Sequence, residues 1–182
     1  MTAGWLVPSL LFVITTAVFG VGMARFFRMP AGPQTRTRLV GAAAAGAALC
    51  QAWTLCHAAP SPWQSVIATA LYLLALVLFA WASRACQPGT LGVILANAPS
   101  ALVVCRGPYA RLRHPFYTAY VLFWAAGCVA SAHWAAGVAA AVMTTVYVRA
   151  AWAEEASLRA SAVGADYNAY AARTGFMWPA CR

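Results

Sequence analysis

The sequence predicts an all-α membrane protein of about five transmembrane helices, the last two forming a helical hairpin, with a further helix on the cytoplasmic side at the C-terminus. Three observations carry that expectation. Only 8% of the 182 residues are charged and 63% are apolar, whereas a soluble domain is about a quarter charged. The apolar residues come in blocks close to the ~20 needed to cross ~30 Å of hydrocarbon as helix. The basic residues, all arginine, fall in alternate connections between those blocks.

The first block runs from about Trp5 to Ala24. Nothing basic precedes it, while Arg25 and Arg28 follow; a secretion signal has the opposite arrangement. An uncleaved helix with its N-terminus outside is expected. Met29-Pro30-Ala31-Gly32-Pro33 then marks a tight loop, because proline cannot continue the hydrogen-bond ladder. The second block, Leu39–Ala58, contains the small-residue run Gly41–Ala48. Such surfaces let helix backbones approach closely in lipid, and the run is expected to be a helix–helix seam. His57 at its outer end reads as an interfacial residue. Ala59-Pro60-Ser61-Pro62 turns the chain into a third block, Gln64–Ser83, with Trp63 at the interface.

Arg84 to Pro115 is too interrupted by glycine and proline to span, yet too apolar for disorder. Long loops in compact proteins are usually functional or disordered, so this segment is expected to hold the site. Phe116–Arg149 is apolar again, broken at Ser131-Ala132-His133-Trp134. Each arm would give ~24 Å of helix. Arg113 and Arg149 should lie on the same side, so the segment is expected to go in and return. The chain then divides into three N-terminal helices over 1–83 and a cofactor loop, hairpin and C-terminal helices over 84–182, within one structural domain. Gly164 should end the emerging helix, and Asp166 should cap a last short helix bearing Tyr167 and Tyr170.

Charge fixes the expected orientation. Arg25, Arg28, Arg36 and Arg38 fill the first connection, and residues 59–63 have none. Arg84, Arg106, Arg111 and Arg113 fill the third, and Arg149, Arg159, Arg173 and Arg182 the C-terminal part. By the positive-inside rule those three segments are cytoplasmic. The net charge of +9 reads as topology plus attraction to anionic membrane lipids; arginines so dispersed do not suit nucleic acid. Six cysteines without C-x-x-C or His/Cys spacing suggest neither a disulfide framework nor a metal.

Two segments concentrate polar chemistry at the same level: Gly107-Pro108-Tyr109-Ala110-Arg111-Leu112-Arg113-His114-Pro115-Phe116-Tyr117, and Glu154-Glu155. Each has a bland reading, an interfacial anchor for the first and a solvated helix start for the second. Together beside a bilayer core they are functional candidates. A ligand carrying a carboxylate and an ammonium would use Arg113 or His114 for the first and a glutamate for the second. S-adenosylmethionine has both, plus an adenine that an apolar pocket can bury. Methyl transfer from a sulfonium mainly needs alignment, which suits a site without an evident nucleophile or metal.

The pattern Gly107-Pro108-Tyr109…Arg113-His114-Pro115…Tyr117, followed by Glu154-Glu155, Leu158, Gly164, Tyr167 and Tyr170, resembles the isoprenylcysteine carboxyl methyltransferase and phospholipid methyltransferase superfamily over roughly the last ninety residues. The resemblance implies a hairpin and C-terminal helix that wrap S-adenosylmethionine on the cytosolic face. It also implies a lipophilic small molecule or prenylated substrate that arrives from the bilayer. Carried over by position, it puts Tyr109, Arg113, His114, Pro115 and Tyr117 around the cofactor, Glu154 on its amino group, and Leu102, Val103 and Val104 along the adenosine. Arg113 and Tyr117 would also position the reactants. Arg149 comes nearest the family's substrate-side arginine, and Ala119 stands where many members have glycine. Adjacent helical residues point about 100° apart, so Glu155 would face lipid head groups or make an exposed pair with Arg159.

A prenylcysteine-like carboxylate is favoured as acceptor over a phospholipid or other amine or thiol, because an ammonium must first lose a proton. Two other readings stand beside this one. An NADPH-dependent membrane reductase related in its C-terminal half would need room for a second nucleotide. A non-catalytic membrane scaffold would not need the set Arg113, His114, Tyr117 and Glu154.

Overall fold

The computed structural model describes residues 3–26, 35–86 and 105–180. The described residues form an all-helical bundle: α1 (Leu6–Phe26), α2 (Thr35–Cys56), α3 (Pro62–Ala85), α4 (Pro115–Ser131), α5 (Trp134–Arg159) and α6 (Gly164–Ala171). Short 3-10 turns cover Ala3–Trp5 and Gly107–Ala110.

Local chemistry sets several boundaries. Pro62 begins α3, where its missing N–H costs nothing, and the Gln64 side chain accepts from the Ser61 N–H at 2.8 Å. Pro115 starts α4 in the same way. The turn after α4 places Ala132 at φ 49°, in the left-handed region, and His133 Nδ1 accepts from the Ala135 N–H at 3.1 Å to cap α5. α5 does not stop near Arg149 but continues unbroken to Arg159, merging the expected return arm with the expected emerging helix. Gly164 opens α6 rather than ending its predecessor, and a Cβ there would lie 2.3 Å from the Arg159 carbonyl oxygen. Asp166 sits in the first turn of α6 while Val163 holds the N-cap position.

Among the described residues four helices are long and apolar enough to cross a membrane: α1, α2, α3 and α5. The fifth apolar helix, α4, has 17 residues, ~25 Å, and is the central one, packed most extensively against α3 and then α5. Leu10, Val21, Leu49, Val66, Val77 and Val138 on the other four present bare apolar surface, to which α4 contributes no large exposed residue. So much uncovered hydrocarbon is what lipid-facing helices require. Exposed tryptophans mark two levels: Trp63 and Trp81 on α3, and Trp134 and Trp152 on α5. Each pair is eighteen residues apart, or ~27 Å of helix, close to the hydrocarbon thickness. Arg25, Arg84, Arg113 and Arg159 lie toward one end, the arginine end, and Glu154 and Glu155 fall just beyond Trp152 at that end.

Around α4 the packing is aromatic. Phe12 stacks on Phe123 at 5.4 Å, Phe19 tilts on Phe79 at 4.7 Å, and Phe79 meets Phe116 edge-on at 5.1 Å. Gly127 of α4 admits Gln51 of α2: a Cβ there would lie 1.9 Å from Gln51 Nε2. The Gln51 amide in turn donates to the Trp124 carbonyl at 3.0 Å. The expected seam in α2 is narrower than the small-residue run. Ala44, Ala47 and Ala48 pack on the core, but a Cβ at Gly41 or Gly46 would meet nothing within 4 Å.

Candidate active site at the arginine end

The polar segment ahead of α4 is held by the C-terminal tail. Leu112 and Gly175 form a parallel bridge. The Arg113 N–H donates to the Gly175 carbonyl at 2.8 Å, and the His114 N–H to Phe176 at 3.2 Å. Thr118 Oγ1 donates to the Met177 carbonyl at 3.1 Å, and the Tyr170 hydroxyl to the Tyr109 carbonyl at 2.8 Å. Gly175 has no room for a side chain, since a Cβ would fall 1.6 Å from the Trp178 carbonyl oxygen. The tail thus closes under the mouth of the hairpin.

Glu155, not Glu154, is the buried carboxylate. It is 3% exposed. Its Oε1 accepts from Arg113 Nε at 2.7 Å and lies 3.1 Å from His114 Nε2. Its Oε2 accepts from Arg159 Nη2 at 2.7 Å. The pair with Arg159 exists as expected, but it belongs to a buried knot rather than an exposed contact. Glu154 lies two helical turns from Tyr147 and so shares the face of α5 that packs on Tyr117 and Tyr120, whereas Glu155, about 100° further round, meets Arg113 and His114. Arg113 also donates through Nη1 to the Ala171 and Thr174 carbonyls and lies over the Phe176 ring at 5.7 Å. Of its five N–H donors, the two on Nη2 are left over from these bonds.

Glu154 is half-buried and differently placed. Its Oε2 is 3.6 Å from His114 Nδ1, and the Tyr117 hydroxyl faces its carboxylate. His114 is therefore clasped between two glutamates, stacked on Tyr117 at 5.6 Å and edge-on to Phe176 at 5.0 Å. Burial pushes its imidazole below the ordinary value, and the Glu155 contact offsets part of that. Nε2 is engaged by Glu155, while Nδ1 lies 3.6 Å from Glu154, beyond hydrogen-bond distance.

The structure brings Arg113, His114, Tyr117 and Glu154 together. Tyr109 is buried, and its phenol accepts from the Cys86 thiol at 3.5 Å; burial raises its pKa. Pro115 is buried as the first residue of α4. Arg149 is exposed on α5. Leu102, Val103 and Val104 lie outside the described residues. Sequence reasoning missed Tyr147, whose ring stacks on Tyr117 at 5.8 Å, and the tail carbonyls that hold Arg113. Among the described residues no group of three or more His, Cys, Asp or Glu side chains gathers as a metal site. No family model and no curated protein matches the chain.

Proposed function

We propose that the chain is an integral membrane methyltransferase that takes a methyl group from S-adenosylmethionine and places it on a lipophilic acceptor reached from the bilayer. The observation that carries this reading is the inequality of the two glutamates. Glu155 is saturated by Arg113, Arg159 and His114, whereas among the described residues His114 is the only charge partner of Glu154, at 3.6 Å. A half-buried carboxylate so placed calls for a cation. An amino acid's ammonium meets that demand, and the spare Nη2 of Arg113 suits its carboxylate. The bound donor would supply a methyl group on a sulfonium, whose carbon–sulfur electron pair stays on sulfur as the acceptor's lone pair forms the new bond. The protein's part is to hold, align and exclude water. Both motifs of the resemblance converge here, which supports the same reading.

A carboxylate such as a prenylcysteine-like α-carboxyl remains the favoured acceptor, being nucleophilic at neutral pH. One observation favours an amine as the second reading: His114 Nδ1 beside Glu154 makes a pair able to take the proton an ammonium must lose. Identifying the product labelled from methyl-labelled donor in native membranes separates the two. The arginine end is taken as cytoplasmic. A lone cysteine placed at Ser61 should then react with an impermeant reagent in intact cells, and Cys181 only after lysis.

Calorimetry on the purified chain in detergent tests the core of the reading. S-adenosylhomocysteine should bind, NADPH should not, and Glu154→Gln should weaken the former roughly ten- to a hundredfold, the scale of a lost bond to a charged group. NADPH binding in place of the nucleoside would point to a reductase, and binding of neither to a scaffold.

A further inference from the structure

Aromatic residues on α4 pack toward α1, α3 and α5. Phe116 and Phe123 turn to the phenylalanines of α1 and α3. Tyr117 and Tyr120, three apart and so on one face, both meet Tyr147 of α5, and Tyr120 also meets Phe19 of α1 edge-on at 4.9 Å. Tyr120 and Tyr147 have ring centroids 5.3 Å apart, Tyr117 and Tyr147 5.8 Å, and Tyr117 and Tyr120 6.4 Å. Three phenols in one place are expensive within a membrane bundle unless their hydroxyls are engaged, and each is directed. Tyr147 accepts from Trp124 Nε1 at 3.3 Å, Tyr120 donates to the Met23 sulfur at 3.3 Å, and Tyr117 faces Glu154. Those contacts fix the rings while Tyr117 and Tyr147 keep part of their surface uncovered. Packing alone would be served as well by phenylalanine.

We infer that Tyr117 and Tyr147, backed by the buried Tyr120, form an aromatic cradle for the positively charged sulfonium of the donor, with Tyr147 as a binding residue that no sequence motif marks. The inference rests on the proposed function and extends it from the ammonium to the reacting centre. Aromatic faces are negative and attract cations within ~6 Å of the ring centroid. In the donor, three carbons separate ammonium from sulfonium, a reach of roughly 5 Å by ordinary bond lengths. The ring of Tyr117 begins where its hydroxyl faces Glu154, so a ligand anchored on that carboxylate carries its second cation to the phenols. The thioether product is neutral and loses that attraction, which favours its release after transfer.

The discriminating measurement compares a cation with its neutral counterpart rather than turnover. Dissociation constants of S-adenosylmethionine and S-adenosylhomocysteine are measured by calorimetry on the full chain in one detergent, for wild type, Tyr147→Phe and Tyr147→Leu. Wild type should prefer the sulfonium by roughly three- to thirtyfold, the range of a cation–π contact. Tyr147→Phe keeps the ring and should keep most of that preference. Tyr147→Leu should bring the ratio toward one, with the affinity for the neutral nucleoside within about twofold of wild type. Equal binding of both ligands by wild type overturns the cradle while leaving the methyltransferase reading intact, and needs no variant to fold. An undiminished ratio in Tyr147→Leu overturns the assignment of Tyr147. If wild type binds neither ligand, the proposed function and the cradle fail together.

Discussion

Glu154 and Glu155 are one residue apart on α5, yet they head two different regions. On the Glu155 side the carboxylate is saturated: two arginines and a histidine converge on it, and Arg113 carries the load onward to the carbonyls of the C-terminal tail. On the Glu154 side the carboxylate meets the Tyr117 phenol and an imidazole nitrogen. A saturated carboxylate can hold a fold but has nothing left to offer a ligand's cation. An unsaturated carboxylate beside aromatic faces contributes little to the fold and much to recognition. The contrast teaches that charge density alone does not locate a site; the unspent valence does.

The largest way to break the contrast is on the knot. Glu155→Gln leaves Arg113 and Arg159 facing an amide, and removing one member of a buried pair costs about 3–5 kcal/mol. The lower end is expected because the Arg159 side chain is 47% exposed. A lowered midpoint of thermal unfolding in detergent, with protease cleavage appearing after α5, would show it. A fully stable variant would mean that the tail bridge at Leu112 and Gly175 suffices alone. Glu154→Gln sharpens the comparison from the other side. Its unfolding should shift by no more than about 0.5 kcal/mol, as for a position outside the knot, while nucleoside binding weakens as stated above. Equal loss of stability in both variants would erase the distinction between the regions.

The apolar blocks were legible because a run without charge has only one stable place to go. α1, α2 and α3 begin and end within about four residues of the expected limits. The end of α5 was not legible in that way. Arg149, Glu154 and Glu155 mark where the chain leaves hydrocarbon, and leaving hydrocarbon does not end a helix when an i,i+4 pair such as Glu155–Arg159 supports it. The meeting of the motif with the two glutamates could also be read, since charged groups beside lipid must find one another. Which glutamate would be buried could not. That depends on the rotation of α5 against α4 in the packed bundle, a relation between positions that no local period links. The carbonyls of Ala171 and Thr174 leave no mark in a side-chain pattern either.

The smallest effect concerns the residue that joins the two regions. Burial holds His114 below its ordinary imidazole value, so the folded protein favours the neutral ring. The groups facing it are Glu154 and Glu155 from α5, Tyr117 from α4, Phe176 from the tail, and the neighbouring Arg113. In the unfolded chain the ring takes up a proton near pH 6.5. The unfolded state therefore binds more protons just below that value, and stability, complete above it, declines as pH falls toward the folded-state pKa. His114→Asn should flatten the slope of unfolding free energy between about pH 7 and 5.5, a change of about 1 kcal/mol or less read as the difference from wild type. The opposite slope in the wild type, stability rising as the buffer is acidified from pH 7 to 6, and its loss in His114→Asn would mean that the folded ring captures the proton. Glu154 would then be engaged in an ion pair with His114, its valence spent, and the two sides of α5 would no longer differ.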